Sequence, residues 1–155
     1  MKVPAELESY ITKGDPEALY EIITEVGQGS FGAVYKAREK STGLAVAIKQ
    51  MKRTSDDDWT DMLKEIRFLR GVQHPNIVRH MANYLKGSTI WIVMEFCIGS
   101  AADMIDLFRK PFQEMEIAAI LHSVLPAIAY LHERKRIHRY ARAHGPRRMG
   151  ARGRC

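Results

Sequence analysis

The sequence predicts an α+β fold: a five-stranded antiparallel sheet with one long helix set into it, followed by the first helices of a second, α-helical layer. Three observations carry this. Short runs rich in β-branched and aromatic residues alternate with turn signals as far as Phe96. One amphipathic run interrupts them between residues 59 and 71. Beyond Gly99 the strand-like runs stop and helical patterning takes over.

In chain order, Asp15-Pro16-Glu17 offers a capping carboxylate followed by proline at the first helical position, so a short helix to about Tyr20 is expected. Residues 21–26 and 33–38 read as strands around a glycine-containing connection, a β-hairpin with a long turn. Ser41-Thr42-Gly43 marks a turn before an apolar strand over 44–51. Ser55-Asp56-Asp57-Asp58 supplies capping oxygens and negative charge for a helix N-terminus. Met62, Leu63, Ile66 and Leu69 then recur at three- and four-residue spacing until Gly71 stops the helix. His74-Pro75-Asn76 reads as a turn, and residues 77–85 and 89–96 as two strands around Lys86-Gly87-Ser88. Ser100 can cap a short helix to about Arg109. Residues 113–136 form a long apolar helical stretch in which Pro126 removes one backbone hydrogen bond and should kink the axis. Its apolar residues Ile117, Ile120, Leu121, Val124, Leu125, Ile128 and Leu131 cover most of the circumference, the mark of a helix buried on several sides.

Composition narrows the function classes. With 46% hydrophobic and 27% charged residues in 155, the chain is an ordinary globular domain. Its formal charge of +6 raises nucleic acid or an anionic membrane as partners, but the charge is not where such a surface needs it. Residues 134–155 hold nine Lys or Arg and no acid, leaving residues 1–133 with fifteen basic against eighteen acidic groups. That tail carries no aromatic beyond Tyr140 to interleave with its arginines, which argues against a nucleic-acid arm. Two cysteines, Cys97 and Cys155, make neither a disulfide framework nor a zinc site, and the first fourteen residues lack the apolar core of a signal peptide. A cytoplasmic setting is expected. The run 90–98 is too short to span a bilayer, and 117–131 is interrupted by His122, Ser123 and Pro126, so no membrane segment is expected.

Two motifs carry chemistry. Gly27-Gln28-Gly29-Ser30-Phe31-Gly32 matches G-x-G-x-x-G, a pattern shared by dinucleotide folds and kinases. In a dinucleotide fold the loop must open a helix, whereas Ala33-Val34-Tyr35-Lys36 continues as a strand. Glycine suits such a flap because the backbone must come close to phosphate oxygens. Lys49 ends Val46-Ala47-Ile48-Lys49, seventeen residues past Gly32, on an otherwise apolar strand where an ammonium needs an anion. Glu65 lies sixteen residues on, beside the apolar-stripe residue Ile66, and can point back at the sheet to pair with it. Lys64 and Arg67 are read as solvated.

Together with His-Pro-Asn-Ile-Val (74–78), Trp-Ile-Val-Met-Glu-Phe-Cys (91–97) and Glu-Ile-Ala-Ala-Ile (116–120), these motifs resemble the protein kinases. The sterile-twenty group, and within it the germinal-centre and thousand-and-one-amino-acid branches, fits over residues 15–139. The resemblance implies a protein-kinase-like N-lobe with one regulatory helix, the start of a C-lobe, ATP with Mg2+ as cofactor, and protein Ser/Thr substrates or signalling partners. It further implies a division into an N-terminal extension (1–14), an N-lobe with hinge (15–98), a partial C-lobe (99–139) and an unstructured Arg/Gly/Ala-rich tail (140–155). Lys49 and Glu65 become the catalytic ion pair. Val26, Gly27, Gln28, Gly29, Ser30, Phe31, Gly32, Ala33, Val34, Ala47 and Lys49 become ATP-binding, with Val34 and Ala47 against the adenine. Met94 becomes the gatekeeper, and the Glu95 carbonyl and Cys97 N–H the hinge groups that bond adenine. Ser100 and Asp103 are read as a helix cap rather than a contact.

The pattern breaks at Ile137-His138-Arg139, which opens like the catalytic loop H-R-D-L-x-x-x-N but continues with Tyr140 where the aspartate is expected. Gly145 stands at the expected asparagine, and no D-F-G or A-P-E follows within the 155 residues. The sequence therefore predicts a chain without its catalytic base or metal-binding side chains. A truncated or frame-shifted reading of an active kinase is the expectation, since Arg, Ala, Gly and Pro are encoded by G+C-rich codons; a pseudokinase is the alternative.

Overall fold

The computed structural model describes residues 3–29, 32–55 and 58–136. Ser30, Phe31, Asp56, Asp57 and the stretch 137–155, with Tyr140, Gly145 and Cys155, lie outside them. In order come α1 (Ala5–Glu8), α2 (Pro16–Leu19), β1 (Tyr20–Gly29), β2 (Gly32–Glu39), β3 (Ala45–Lys52), α3 (Asp58–Arg70), β4 (His80–Lys86), β5 (Thr89–Glu95), α4 (Ala101–Phe108) and α5 (Glu114–Glu133).

The five strands form one antiparallel sheet in the order β1-β2-β3-β5-β4. This is the predicted five-stranded α+β architecture. Alternation gives the sheet two apolar faces. On one, Met51, Ile90 and Ile92 pack with Trp59, Met62 and Ile66 of α3 and with Leu7 of α1. On the other, Val46, Ile48, Trp91 and Val93 pack with Tyr20, Ala37 and Tyr84. Tyr20 and Tyr84 meet edge to face at 5.8 Å, and burial, reinforced by the hydrogen bond with Tyr84, raises the pKa of the Tyr20 phenol.

Local chemistry explains the element ends. Asp15 caps α2 by accepting the Glu17 N–H at 3.0 Å. The carboxylate of Asp58 turns backwards, accepting the N–H and hydroxyl groups of Thr54 and Ser55, and so ties the β3–α3 connection to the first turn of α3. Those donors hold its pKa well below the usual carboxylate range. Ser100 and Asp103 form a reciprocal capping box at α4, which confirms them as a cap. β4 begins three residues later than expected: the Ile77 N–H bonds to the His74 carbonyl, and the Asn76 side-chain amide donates to the Ser123 carbonyl of α5 at 2.7 Å. That tie holds the chain in its turn and delays the strand. Arg67 is not merely solvated, because it pairs with Glu6.

α5 runs unbroken through Pro126 and buries only Ala127 and Leu131. Ile117, Leu121, Val124 and Leu125 are exposed, and α4 buries nothing. By length and composition alone α5 could cross a membrane, the one such helix among the described residues.

Candidate functional site

The glycine hairpin closes on the cross-strand pair Gly29 and Gly32, with Gln28 opposite Ala33 and Gly27 opposite Val34. Val26 sits in the irregularity between Glu25 and Gly27 and is half-exposed. Gly32 has φ +134°, and a Cβ there would lie 1.9 Å from the Gln50 carbonyl oxygen of β3. Only glycine lets β2 turn down onto β3 at this point. Gly27 has open space where a Cβ would be, so its own surroundings place no such demand.

Register then assembles one face. Val34 lies opposite Lys49, which lies opposite Ile92; one row along, Lys36 lies opposite Ala47 and Ala47 opposite Met94. Directly opposed residues share a face in an antiparallel pair, and so do residues two apart along a strand. Val34, Ala47, Lys49 and Met94 therefore share the face that α3 covers. The Lys49 Nζ reaches Glu65 Oε1 at 2.8 Å, with the two side chains 19% and 35% exposed. Glu65 is aimed by its neighbours, since Met62 and Ile66 are buried in the core and fix the rotation of α3.

At the far end of β5, Glu95 is engaged with Arg79 both ways: its N–H donates to the Arg79 carbonyl at 2.9 Å, and its carboxylate accepts the Arg79 N–H at 3.2 Å. That pairing anchors the segment carrying Phe96 and the exposed Cys97 thiol. Sequence reading passed over Lys36, whose Nζ lies 5.0 Å from the Phe96 ring centre and so adds a cation beside the end of β5. Register with Ala47 could have found it.

Sequence reading also missed Arg136. Its Nη1 donates to the Phe68 carbonyl at 2.7 Å, a cation at the C-terminal end of α3. The guanidinium fills the space that a Cβ on Gly71 would invade, at 2.1 Å. Beside it, the Gln73 N–H donates to the Tyr130 hydroxyl at 3.0 Å, and the His74 and Tyr130 rings lie 5.1 Å apart. The end of α3 and the loop after it are thus docked on α5.

A cavity of about 880 Å3 lies away from this face, between residues 9–12, the end of α3 and β4; it shares only Glu95 with the predicted ATP-binding set. Among the described residues no group of three His, Cys, Asp or Glu could hold a metal ion. The arrangement suits anchoring an anion beside a close-approaching backbone: an ammonium held by a carboxylate, a glycine pair near it along β2, and small apolar residues next to it.

The family described as protein kinase domain matches residues 20–140. The serine/threonine-protein kinase Tao of Drosophila melanogaster is 50% identical over 141 residues, 89% of this chain and 14% of that protein. Serine/threonine-protein kinase TAO2 of Xenopus laevis is 45% identical over 141 residues, again 89% and 14%. TAO2 of Homo sapiens is 46% identical over 134 residues, 84% of this chain and 11% of that protein. The chain thus spans no more than about one-seventh of the length of these relatives.

Proposed function

The chain belongs to the protein kinase family, and from that premise we propose that it is the ATP-binding portion of a cytoplasmic serine/threonine kinase of the sterile-twenty group. The observation that carries this is the 2.8 Å ion pair between Lys49 and Glu65, with Lys49 opposite Val34, two residues along β2 from Gly32. An ammonium held by a carboxylate is aimed and cannot wander, which is what anchoring the α- and β-phosphates requires. Val34 and Ala47 flank it as the adenine surface, and the backbone of residues 95–97 supplies the hinge. The similarity to the Tao kinases supports Ser/Thr in protein substrates as the acceptor class in the parent enzyme.

ATP fits these residues, and the Mg2+ that accompanies it in the family does not find its protein ligands among them. Tyr140 and Gly145 stand at the positions of the catalytic base and the metal-binding asparagine. A phenol hydroxyl carries no carboxylate to accept the proton or bind a metal ion. We therefore propose that these 155 residues bind nucleotide with little need for magnesium and transfer no phosphate.

The test is a fluorescent ATP-analogue titration of the 155-residue chain beside Lys49→Met. Loss of one charge-assisted contact should weaken binding roughly 10- to 100-fold; identical affinities would refute the site. Tyr140→Asp should remain inactive toward a basic protein substrate. Radiolabel transfer by the wild-type chain that Lys49→Met abolishes would overturn the incompleteness.

A further inference from the structure

Residues 3–12 fall within the stretch 1–14 expected to be an N-terminal extension, yet Leu7 is fully buried in the core that holds α3 to the sheet. Leu7 touches the same cluster as Met62 and Ile66, the residues that set the rotation of Glu65. Val3, Tyr10 and Ile11 pack around it. The contacts continue along the segment. Glu6 pairs with Arg67, and the Arg70 guanidinium stacks over the Tyr10 ring at 5.0 Å. The Tyr10 carbonyl accepts from the Asn83 side-chain amide at 3.2 Å, and the Thr12 N–H donates to the Asn83 carbonyl at 2.7 Å. One short stretch therefore contacts Met62, Ile66, Arg67 and Arg70 of α3 and Asn83 of the edge strand β4 together.

α1 is a single four-residue turn, far below the length at which a helix stands alone. Its order comes from what it touches, so it is free to leave if those contacts are lost. Asn83, only 1% exposed, is the polar pin: it also meets His80 Nε2 at 2.8 Å, and departure of the segment strips its bond to Tyr10. We propose that residues 3–12 are a built-in clamp on α3, with Leu7, Glu6 and Tyr10 as positioning residues for Glu65. Seated, the segment fixes the Lys49–Glu65 pair; released, it frees α3 while the sheet stays intact. The socket takes a short turn with one aliphatic anchor and an acidic residue facing Arg67. The effect on nucleotide rests on the site proposed above, whereas the clamp itself does not.

Hydrogen exchange on the full 155-residue chain separates a clamp from plain core stability. In Leu7→Ala the amides of residues 62–70 should exchange roughly 30-fold faster or more, while those of β3 and β5 change by less than about threefold. Uniform acceleration across helix and sheet, or none, overturns the clamp. Should that variant fail to fold, Glu6→Arg and Arg67→Glu give the second measurement: each should speed exchange in 62–70 by about two- to fivefold, and the double exchange of charges should restore it. A double variant no better protected than the singles overturns the proposal. Nucleotide affinity of Leu7→Ala should fall with the local opening; selective opening of α3 with unchanged affinity overturns the coupling to Lys49. A wild-type chain that binds no nucleotide refutes only the earlier reading, because exchange still reports on the clamp.

Discussion

α5 allows a test that most helices would fail. Leu131 is 3% exposed and Leu125 59%, although both are leucines on one helix of core-like composition. Leu131→Ala removes buried methylenes and leaves a cavity, which costs about 2–5 kcal/mol. At roughly 4 °C per kcal/mol for a domain of this size, the melting temperature should fall by about 8–20 °C. Leu125→Lys replaces a side chain that faces solvent, and its lysine stem can lie along the helix. A surface substitution of that kind stays within about 0.5 kcal/mol, or about 2 °C. Met115→Lys, at a position 81% exposed, should behave alike. The assay is circular-dichroism melting of the three variants with light scattering alongside. Scattering by the wild-type chain should drop in the double variant Met115→Lys/Leu125→Lys, because a large apolar face drives association. A Leu125→Lys melting point depressed as far as that of Leu131→Ala would refute the reasoning, since it would mean that α5 already buries this face.

Two further predictions follow from the hairpin and from α3. Gly32→Ala forces a Cβ against the Gln50 carbonyl at a positive φ and should destabilise by about 1–3 kcal/mol with loss of nucleotide binding, whereas Gly27→Ala should leave the melting point within about 2 °C; equal melting points for the two variants would sink the argument. Asp58 has its pKa lowered on folding, so its stabilisation is complete above the unfolded value near 4 and lost as the pH falls below it. The gap in melting temperature between wild type and Asp58→Asn should therefore narrow progressively as the pH falls below about 4, and a gap independent of pH would count against the backward tie to Thr54 and Ser55.

Much of this was legible because it is periodic. Strands over 21–26, 33–38, 44–51 and 89–96, the helix ending before Gly71, and the facing of Glu65 toward Lys49 all follow from two- and 3.6-residue repeats. What was not legible depends on contacts distant in sequence. Nothing local marks Leu7 as a core residue, for it stands alone between Glu6 and Glu8. Arg67 looked solvated because its partner is sixty-one residues away, and Arg136 looked like part of a basic tail because the carbonyl it caps is sixty-eight away. The delayed start of β4 has the same origin, an amide of Asn76 held by α5. In each case the pattern indicates which elements form, and contacts distant in sequence decide how they are held.

Those contacts also connect α3, which carries Glu65, with the exposed apolar face of α5. α5 holds the loop after α3 through Tyr130 and Ser123, Arg136 just beyond it bonds the Phe68 carbonyl of α3, and the helix presents Ile117, Leu121 and Leu125 to solvent. Arg136 holds the C-terminal turn of the helix that carries Glu65, and the residues immediately after it are those that resemble a catalytic loop. If residues 3–12 clamp α3 as proposed, the helix that carries Glu65 is held by two segments distant in sequence, residues 3–12 through Arg67 and Arg70 and Arg136 through the Phe68 carbonyl, and the Lys49–Glu65 pair inherits both restraints.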